Sequence, residues 1–471
     1  MEPVSTNSGG VIELAADEME CANVSARRSW SIVLLALLAS VLLYHLLPFD
    51  EAPRKGLALL LFVAVLWLTE AIHVTITAIL IPVLALAIGF PGLDTQTALV
   101  NFADPIIFLF FGGFALATAL RVQKLDRKIA AWLLSLADAH LGVSALLLFV
   151  VTALLSMWMS NTATTAMMLP LALALLGELD SRQERHTFVF VLLGIAYAAN
   201  IGGLGTLVGS PPNAIAAKAL NLDFADWMMF GLPLVLVLLP LMIMALWLVL
   251  RPQLNRRVEL RHECIPWTRE RVLTMLVFAA TALAWILGDH IEQALGIRSR
   301  DSFIALAAVA AIAILRLVSW RQIAANTDWG VLFLFGGGLT LSDLLKISGA
   351  ASVLGEQVAA LLGGAHPLLV IFGGVVFIAA LTEFASNTAT AALLVPVFAA
   401  VAYQMGISET ALVLAIGVGA SCAFMLPVAT PPNAIVFGTG YIRQRDMMRA
   451  GAVVNAFCIT LLTLWCYCVL L

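Results

Sequence analysis

Two copies of a short polar motif, Ser-Asn-Thr-Ala-Thr, interrupt long apolar stretches of this chain. The first copy begins at Ser160 and the second at Ser386, and a proline, Pro170 or Pro396, follows each at the same distance. Ser, Asn and Thr favour the position just before a helix, and the free N–H groups and positive dipole end of a helix start attract anions. Hydroxyl and amide oxygens are also hard ligands of the kind that suits an alkali cation. The motif therefore predicts a site where an anion and a small cation bind side by side.

A second motif, built around Pro-Pro-Asn, follows each copy of the first. Because proline has no N–H group, the carbonyls four residues before each proline lose their helical partners. We expect such unwound carbonyls to bind a cation close to the anion. The two copies read Gly209-Ser210-Pro211-Pro212-Asn213-Ala214-Ile215 and Ala429-Thr430-Pro431-Pro432-Asn433-Ala434-Ile435, and the freed carbonyls belong to Leu207, Val208, Pro427 and Val428.

The order and spacing of the motifs indicate a duplicated half. Asn161 and Asn387 of the first motif are 226 residues apart, and Asn213 and Asn433 of the second motif are 220 residues apart. Polar residues inside an apolar segment are costly unless they are buried against protein or a wet cavity. Hydrogen bonds between helices would explain one such motif alone, but the doubled pair favours a transporter site near the middle of the membrane.

The composition is that of a membrane protein. Hydrophobic residues make up 62% of the 471 residues and charged residues 11%, whereas about a quarter of an ordinary soluble domain is charged. The polar, acidic N-terminal segment lacks the basic stretch and cleavage pattern of a signal peptide, so we interpret it as a cytoplasmic tail. The sequence has no basic patch of the kind that would predict nucleic-acid binding. The cysteines lack metal-ligand spacing and are predicted to be packed, inert thiols. They are Cys21, Cys264, Cys422, Cys458, Cys466 and Cys468.

Apolar stretches long enough to cross about 30 Å of hydrocarbon recur along the chain. They predict an all-α polytopic membrane protein with eleven transmembrane helices and two re-entrant hairpins. The hairpins cover 141–177 and 367–403, and each carries one Ser-Asn-Thr motif near its middle. The crossings are predicted at 32–47, 56–70, 74–90, 105–120, 187–217, 229–250, 272–289, 303–318, 329–345, 410–437 and 448–471.

The distribution of lysine and arginine predicts the orientation of the chain. With the N-terminus in the cytoplasm, 19 of the 25 basic side chains fall on the cytoplasmic side, as the positive-inside rule requires. This predicts an inner (plasma) membrane protein with its C-terminus outside. An odd number of crossings separates the two copies of the motifs, so the halves insert with opposite orientation. The predicted parts are a tail at 1–28, a first half at 29–250, a cytoplasmic linker at 251–270 and a second, inverted half at 271–471.

At these residues the chain resembles the divalent-anion/sodium symporter family, which includes sodium-coupled dicarboxylate and citrate transporters. The resemblance extends over residues 30–471 and rests first on the doubled motifs. It implies sodium-coupled uptake of C4-dicarboxylates such as succinate, malate and fumarate by an elevator-type transporter that works as a homodimer. Three further family-like stretches are Trp67-Leu68-Thr69-Glu70-Ala71-Ile72, Phe110-Phe111-Gly112-Gly113 and Phe335-Gly336-Gly337-Gly338.

The same resemblance implies roles for individual residues. The carboxylates of the substrate would be held by Ser160, Asn161, Thr162, Ser386, Asn387 and Thr388, with Ser210, Pro211, Thr430 and Pro431 lining the same site. One sodium ion would lie near Ser156, Ser160, Asn161 and Gly209, and a second near Thr382, Ala385, Asn387 and Ala429, partly on backbone carbonyls. Sodium is a co-transported ion in this scheme, and no cofactor is expected.

Several alternatives stay open on the sequence. The chain contains no HExxH or GxSxG motif, which disfavours an intramembrane enzyme, and a channel would pass unsaturable flux where a carrier saturates. Among carriers, a sodium-independent dicarboxylate exchanger is the main alternative, and citrate or sulfate is the main alternative substrate. Of the acidic residues in apolar stretches, Glu383 is expected to be neutral or hydrogen-bonded, with support of a cation as the alternative. Glu70 and Asp343 are expected to reach the membrane interface.

The charge distribution predicts what must accompany a dianion. No Lys, Arg or His occurs between Leu141 and Ser181 or between Leu368 and Ile442. Burying an uncompensated charge costs several kcal/mol, and a helix dipole supplies only about half an elementary charge. We therefore expect co-bound sodium to supply the rest. The resemblance implies more than two sodium ions per dianion, so transport would carry net positive charge inward.

Overall fold

The all-α fold is confirmed by a computed structural model of the chain. Within the described residues the chain is helical, apart from turns and one isolated antiparallel bridge between His140 and Arg257. Most of the predicted tail, part of the predicted linker, Cys21 and Cys264 lie outside the described residues. The described residues are 28–137, 140–177, 179–258, 265–288, 296 and 300–470.

The α-helices of the described residues are numbered here in chain order. In the first half they are α1 (Arg28–Leu46), α2 (Glu51–Thr69), α3 (Val74–Ile88), α4 (Thr95–Leu99), α5 (Pro105–Val122), α6 (Leu125–Leu134), α7 (Leu141–Ser156), α8 (Asn161–Leu176), α9 (Arg185–Gly202), α10 (Pro211–Leu220) and α11 (Phe224–Leu250). In the second half they are α12 (Arg269–Ile286), α13 (Arg300–Ile314), α14 (Trp320–Asn326), α15 (Trp329–Ile347), α16 (Ala350–Leu362), α17 (Pro367–Thr382), α18 (Asn387–Met405), α19 (Glu409–Gly419), α20 (Pro431–Phe437) and α21 (Gln444–Leu470).

Helices recur in the two halves in the same order and with similar lengths. α7 and α17 both have 16 residues, and each leads into a Ser-Asn-Thr motif. α11 and α21 both have 27 residues, and each follows a Pro-Pro-Asn helix. The repeat of the motifs therefore extends to the helices around them. The opposite orientation of the halves, and their boundaries, stay predictions.

Eight helices of the described residues are long and apolar enough to cross a membrane, and α16 with α17, bent by 114°, adds a ninth if the pair counts as one span. Seven predicted crossings correspond to helices in this set. α18 belongs to the set as well, although the sequence assigns it to a hairpin. The multi-pass character is confirmed, and the number of eleven crossings stays a prediction. The predicted crossings that correspond to shorter, more charged or broken helices are 74–90, 272–289, 303–318 and 410–437.

The two halves are interleaved. α10 of the first half packs against α18 and α19 of the second, and α20 of the second half packs against α8 and α9 of the first. The same exchange occurs between other helices, since α3 packs along α15 and α5 along α13. α9 lies at the centre of this arrangement and is buried at every residue from Thr187 to Gly202. Helices that carry the motifs of different halves thereby become neighbours.

Candidate functional site

Four helix N-termini surround one cavity of about 620 Å³. The helices are α8 and α18, which begin inside the Ser-Asn-Thr motifs, and α10 and α20, which begin inside the Pro-Pro-Asn motifs. Every residue that the sequence predicts to touch substrate lies in the wall of this cavity. These residues are Ser160, Asn161, Thr162, Ser210, Pro211, Ser386, Asn387, Thr388, Thr430 and Pro431.

Each Ser-Asn-Thr motif forms the same kind of helix start. The hydroxyl of Ser160 accepts a hydrogen bond from the N–H of Ala163 at 3.3 Å, and the hydroxyl of Ser386 accepts one from Ala389 at 3.5 Å. The first turn of a helix has N–H groups without intrahelical partners, and the serine satisfies one of them in each motif. The N–H groups of the following asparagine and threonine stay available to an anion at the cavity wall.

The two motif asparagines are held from behind in the same way. The Ser156 hydroxyl donates to Oδ1 of Asn161 at 2.6 Å. The Thr382 hydroxyl shares its one proton between Oδ1 of Asn387 at 2.5 Å and the carbonyl of Ala420 at 2.8 Å. Ser156 and Thr382 are fully buried, so they position the asparagines from a second layer. The residues predicted near sodium that the structure places in the wall itself are Ser160, Asn161, Gly209, Ala385, Asn387 and Ala429.

The helix before the first Pro-Pro-Asn motif breaks earlier than predicted. α9 ends just before Gly203, and two short 3-10 turns follow. Glycine is a poor helix former, and the Asn213 amide replaces the missing helical bonds by donating to the carbonyls of Gly203 and Thr206 at 2.7 and 2.8 Å. Pro211 and Pro212 begin the next helix, where a missing N–H costs little. They therefore follow the break and do not cause its start.

The second break is built alike. α19 ends at Gly419, and the Asn433 amide donates to the carbonyls of Ala423 and Leu426 at 3.2 and 3.0 Å. In both halves the unwound stretch begins well ahead of the prolines, so more carbonyls leave the helix than the four predicted. The predicted carbonyls, all inside these stretches, are those of Leu207, Val208, Pro427 and Val428.

Glu383 is buried beside the second break and holds it. Its carboxylate accepts hydrogen bonds from the N–H groups of Phe424, Met425 and Leu426 at 2.9–3.1 Å and from the amide of Asn455 at 2.8 Å. The side chain of this acid therefore bonds to backbone donors. The prediction that Glu383 is hydrogen-bonded is confirmed.

Three polar residues of the cavity wall come from outside the motifs: Glu70, Asn200 and Asp328. Glu70, which the sequence predicts at the membrane interface, contributes to this wall, and its depth in the membrane stays a prediction. Among the described residues of the wall, Glu70 and Asp328 alone are charged, and both are acidic. Asn200 donates from its amide to the hydroxyl oxygen of Thr430 at 3.1 Å. Of these three residues, the sequence singled out only Glu70, because it belongs to a family-like stretch.

The model of the citrate transporter family matches residues 64–417 of the chain. The chain belongs to this family. Membership confirms the resemblance to the divalent-anion/sodium symporters, and the protein is a multi-pass membrane transporter. The remaining comparisons agree with that assignment at the level of sequence and fold.

Two relatives illustrate the similarity in sequence. An uncharacterized transporter of Haemophilus influenzae is 51% identical, and the match covers 94% of this chain and 97% of that protein. The sodium-dependent dicarboxylate transporter SdcS of Staphylococcus saprophyticus is 33% identical over 92% of this chain and 90% of that protein. Among solved structures, the YdaH transporter of Alcanivorax borkumensis has a TM-score of 0.58 at 14% identity, covering 94% of this chain and 98% of that one. This last likeness is one of fold alone.

Proposed function

We propose that this transporter takes up C4-dicarboxylates such as succinate, malate and fumarate together with sodium. The observation that carries the proposal is a cavity surrounded by four helix starts whose described wall contains no lysine, arginine or histidine. Such a cavity offers N–H and O–H groups to an anion but no positive side chain. A dianion that binds there therefore needs a cation that binds with it.

The charges around the cavity do not balance a bound dianion without that cation. The four helix starts together contribute at most about two elementary charges, and the prolines that open α10 and α20 reduce this sum because they remove N–H donors. Glu70 and Asp328 add negative charge to the wall. A dianion buried in these surroundings without a cation would cost several kcal/mol. Bound sodium ions offset this cost.

Two groups of oxygen atoms are proposed to hold sodium. In the first, the side-chain oxygen of Asn161 and the carbonyl oxygen of Gly209 lie 2.5 and 3.0 Å from the point that a Cβ on Gly203 would occupy. The Asn161 amide nitrogen lies 3.1 Å from the same point. Because Gly203 has no side chain, the two oxygens, which are ligands that suit a hard cation, keep this point between them. The second group is the equivalent one around Asn387 and Ala429.

The relative named a sodium-dependent dicarboxylate transporter supports the same coupling. With it we propose an elevator movement of the motif-bearing helices, a homodimer, and two inverted halves at 29–250 and 271–471. We also propose an inner (plasma) membrane location with the N-terminus in the cytoplasm and the C-terminus outside. The lysine and arginine distribution supports this orientation.

The test is uptake of labelled succinate into proteoliposomes that contain the purified full chain. An inward sodium gradient should drive concentrative uptake, and replacement of external sodium by potassium or choline should abolish it. Undiminished uptake in potassium, driven by dicarboxylate inside the vesicles, would identify the sodium-independent exchanger instead. Protein-free liposomes are the control.

Citrate is the second candidate substrate, because the matching family is described as citrate transporters. Unlabelled succinate, citrate and sulfate should be compared as competitors of labelled succinate at saturating sodium. We expect succinate to compete at the lowest concentration. Stronger competition by citrate or sulfate would reassign the substrate and leave the sodium coupling in place.

The charge balance of transport is a separate test. More than two sodium ions per dianion make the cycle electrogenic, so an inside-negative potential should accelerate uptake. The dependence of the rate on sodium concentration should be sigmoidal. Voltage-insensitive uptake with a Hill coefficient near one would contradict this stoichiometry while leaving the substrate assignment intact.

A further inference from the structure

Asn200 connects the two halves at the substrate cavity. It lies near the end of α9 in the first half, its side chain is almost fully buried at 2% exposure, and it contributes to the cavity wall. Its amide donates a hydrogen bond to Oγ1 of Thr430, at the start of α20 in the second half, over 3.1 Å. A buried amide needs partners for its donors, and Asn200 finds one in a residue of the predicted substrate site.

This bond determines what the Thr430 hydroxyl can do. A threonine hydroxyl has one proton to donate and two lone pairs with which to accept. One lone pair accepts from the backbone N–H of Asn433 at 3.3 Å, which caps α20, and the other accepts from Asn200. Both lone pairs are therefore occupied. Within the described residues the O–H proton has no acceptor, and Thr430 lies in the cavity wall, so the proton is available to an anion there.

The equivalent residue of the first half is arranged differently. Oγ of Ser210 lies 3.3 Å from Oγ of Ser421, and either hydroxyl can be the donor of that bond. The Ser210 side chain makes no capping bond to α10. Ser210 can therefore present either a lone pair or a proton to the cavity, whereas Thr430 can present only a proton.

We propose that Asn200 is a positioning residue that fixes Thr430 as a hydrogen-bond donor to a carboxylate of the substrate. The assignment rests on the proposed function, since it requires an anionic substrate. A hydroxyl with free lone pairs serves a cation as well as an anion, but one whose lone pairs are occupied serves only the anion. Asn200 thereby assigns the Thr430 hydroxyl to the dicarboxylate and not to sodium.

The test is a double-mutant cycle on the full chain in proteoliposomes, with succinate KM and Vmax measured at saturating sodium. Asn200→Leu keeps the branched shape and removes the donor, and Thr430→Val keeps the shape and removes the hydroxyl. Each single change should raise KM about tenfold, the factor for one hydrogen bond to a charged group, with Vmax within about twofold. The double variant should raise KM about tenfold as well, because Asn200 acts only through the bond that Thr430→Val removes. An additive double variant, about a hundredfold, would overturn the assignment.

Two further variants separate positioning from structural damage. Thr430→Ser keeps the hydroxyl and should restore succinate KM to within about threefold of the parent chain. The sodium concentration at half-maximal rate should change less than about twofold in Asn200→Leu, and a larger shift would mean that Asn200 serves the cation. If Asn200→Leu is not recovered from membranes, Asn200→Ala carries the same cycle. Parent chain without sodium-driven succinate uptake would overturn the proposed function, whereas normal uptake with an additive cycle would overturn only the role of Asn200.

Discussion

The two unwound stretches of the site follow the same path but have different anchors. In the first half, the Thr206 hydroxyl donates to the backbone carbonyl of Met157, the residue that follows α7. In the second half, the residue that follows α17 is Glu383, and its carboxylate binds three successive N–H groups of the stretch. One anchor is neutral and made largely of backbone, and the other is a buried acid.

A second difference concerns the space beside each cation group. Asn213 and Asn433 donate to equivalent carbonyls, those of Gly203 and Ala423. The first half therefore has a glycine where the second half has a buried side chain. A Cβ on Gly203 would stand 2.5 Å from Asn161 Oδ1, closer than such atoms approach. The helix break therefore forms in the first half without a buried acid and in the second half without a glycine at this position. The acid and the glycine distinguish the surroundings of the two proposed sodium ions.

If both halves are needed for binding, each of the two motif asparagines is needed as well. Their replacement has the largest expected effect on uptake. Asn161→Ala and Asn387→Ala should each lower succinate uptake by at least about a hundredfold, because each asparagine is proposed to bind both an anion and a cation. Both variants should still reach the membrane. Thr281→Ala on α12, a buried hydroxyl away from the cavity, is the matched control and should be mild. Near-normal uptake in both asparagine variants would refute the site assignment.

The glycine difference predicts the next largest effect. Gly203→Ala should raise the sodium concentration at half-maximal uptake by about tenfold or more, because the new Cβ enters the space between two proposed ligands. Ala423→Gly, the reverse change at the equivalent position, should alter it by no more than about threefold. Measurement of uptake rate against sodium concentration decides this, and equal effects of the two variants would mean that the space beside Gly203 holds no ion.

Because the two unwound stretches have different anchors, a change at the anchor of the second half should destabilise the protein more than a change at the anchor of the first half. Glu383→Gln leaves one oxygen where two bound three N–H groups and Asn455, so we expect it to cost about 2 kcal/mol or more. Met157→Leu should cost less than about 1.5 kcal/mol, because the anchor of the first half is the backbone carbonyl and the side-chain volumes are similar. Thermal unfolding of the purified protein in detergent measures both. A Glu383→Gln protein as stable as the parent would show that the paired carboxyl oxygens of Glu383 are not the anchor.

The smallest effect is expected from an ion pair that only one half has. Lys218 on α10 pairs with Asp104, which caps α5, at 2.7 Å. Asp328 caps α15 in the same way in the second half. The position equivalent to Lys218 is Gly438, directly after α20, so the second half has no lysine to pair with Asp328 there. Under the proposed elevator movement the pair must break, so Lys218→Met should raise Vmax by at most about fivefold, the factor for a partly exposed pair, and leave succinate KM unchanged. Asp104→Asn should have the same effect, and the double variant no more. A lowered Vmax in all three would mean that the pair supports the moving state.

The sequence predicted the core of the site well because its chemistry is local. Serine caps and proline pairs determine where helices begin within a few residues, and four such starts were readable from two doubled motifs. The family resemblance then implied that the four starts meet. Every substrate residue predicted in this way lies in the wall of one cavity, although whether each of them binds substrate stays a prediction.

What the sequence did not predict depends on tertiary packing or on weak signals. Asn200 is one polar residue in a long apolar stretch, and nothing near it in the chain indicates that Thr430 is its neighbour. Asp328 looks like an ordinary helix cap, which it also is. The break at Gly203 was missed because the two prolines that follow are the stronger signal. The number of crossings does not follow from hydropathy alone, because the short helix α3, with 15 residues, is as apolar as a helix that spans the membrane.

The exchange of α10 and α20 between the halves has a consequence for biosynthesis. When the first half has left the ribosome, α10 is already made, but the helices that it packs against, α18 and α19, do not yet exist. α8 and α9 likewise wait for α20, one of the last helices to be synthesised. The final arrangement therefore depends on contacts between parts of the chain that are far apart in sequence, which form late in folding. A chain that terminates before Pro431 has lost one wall of the cavity, however well its first half has inserted.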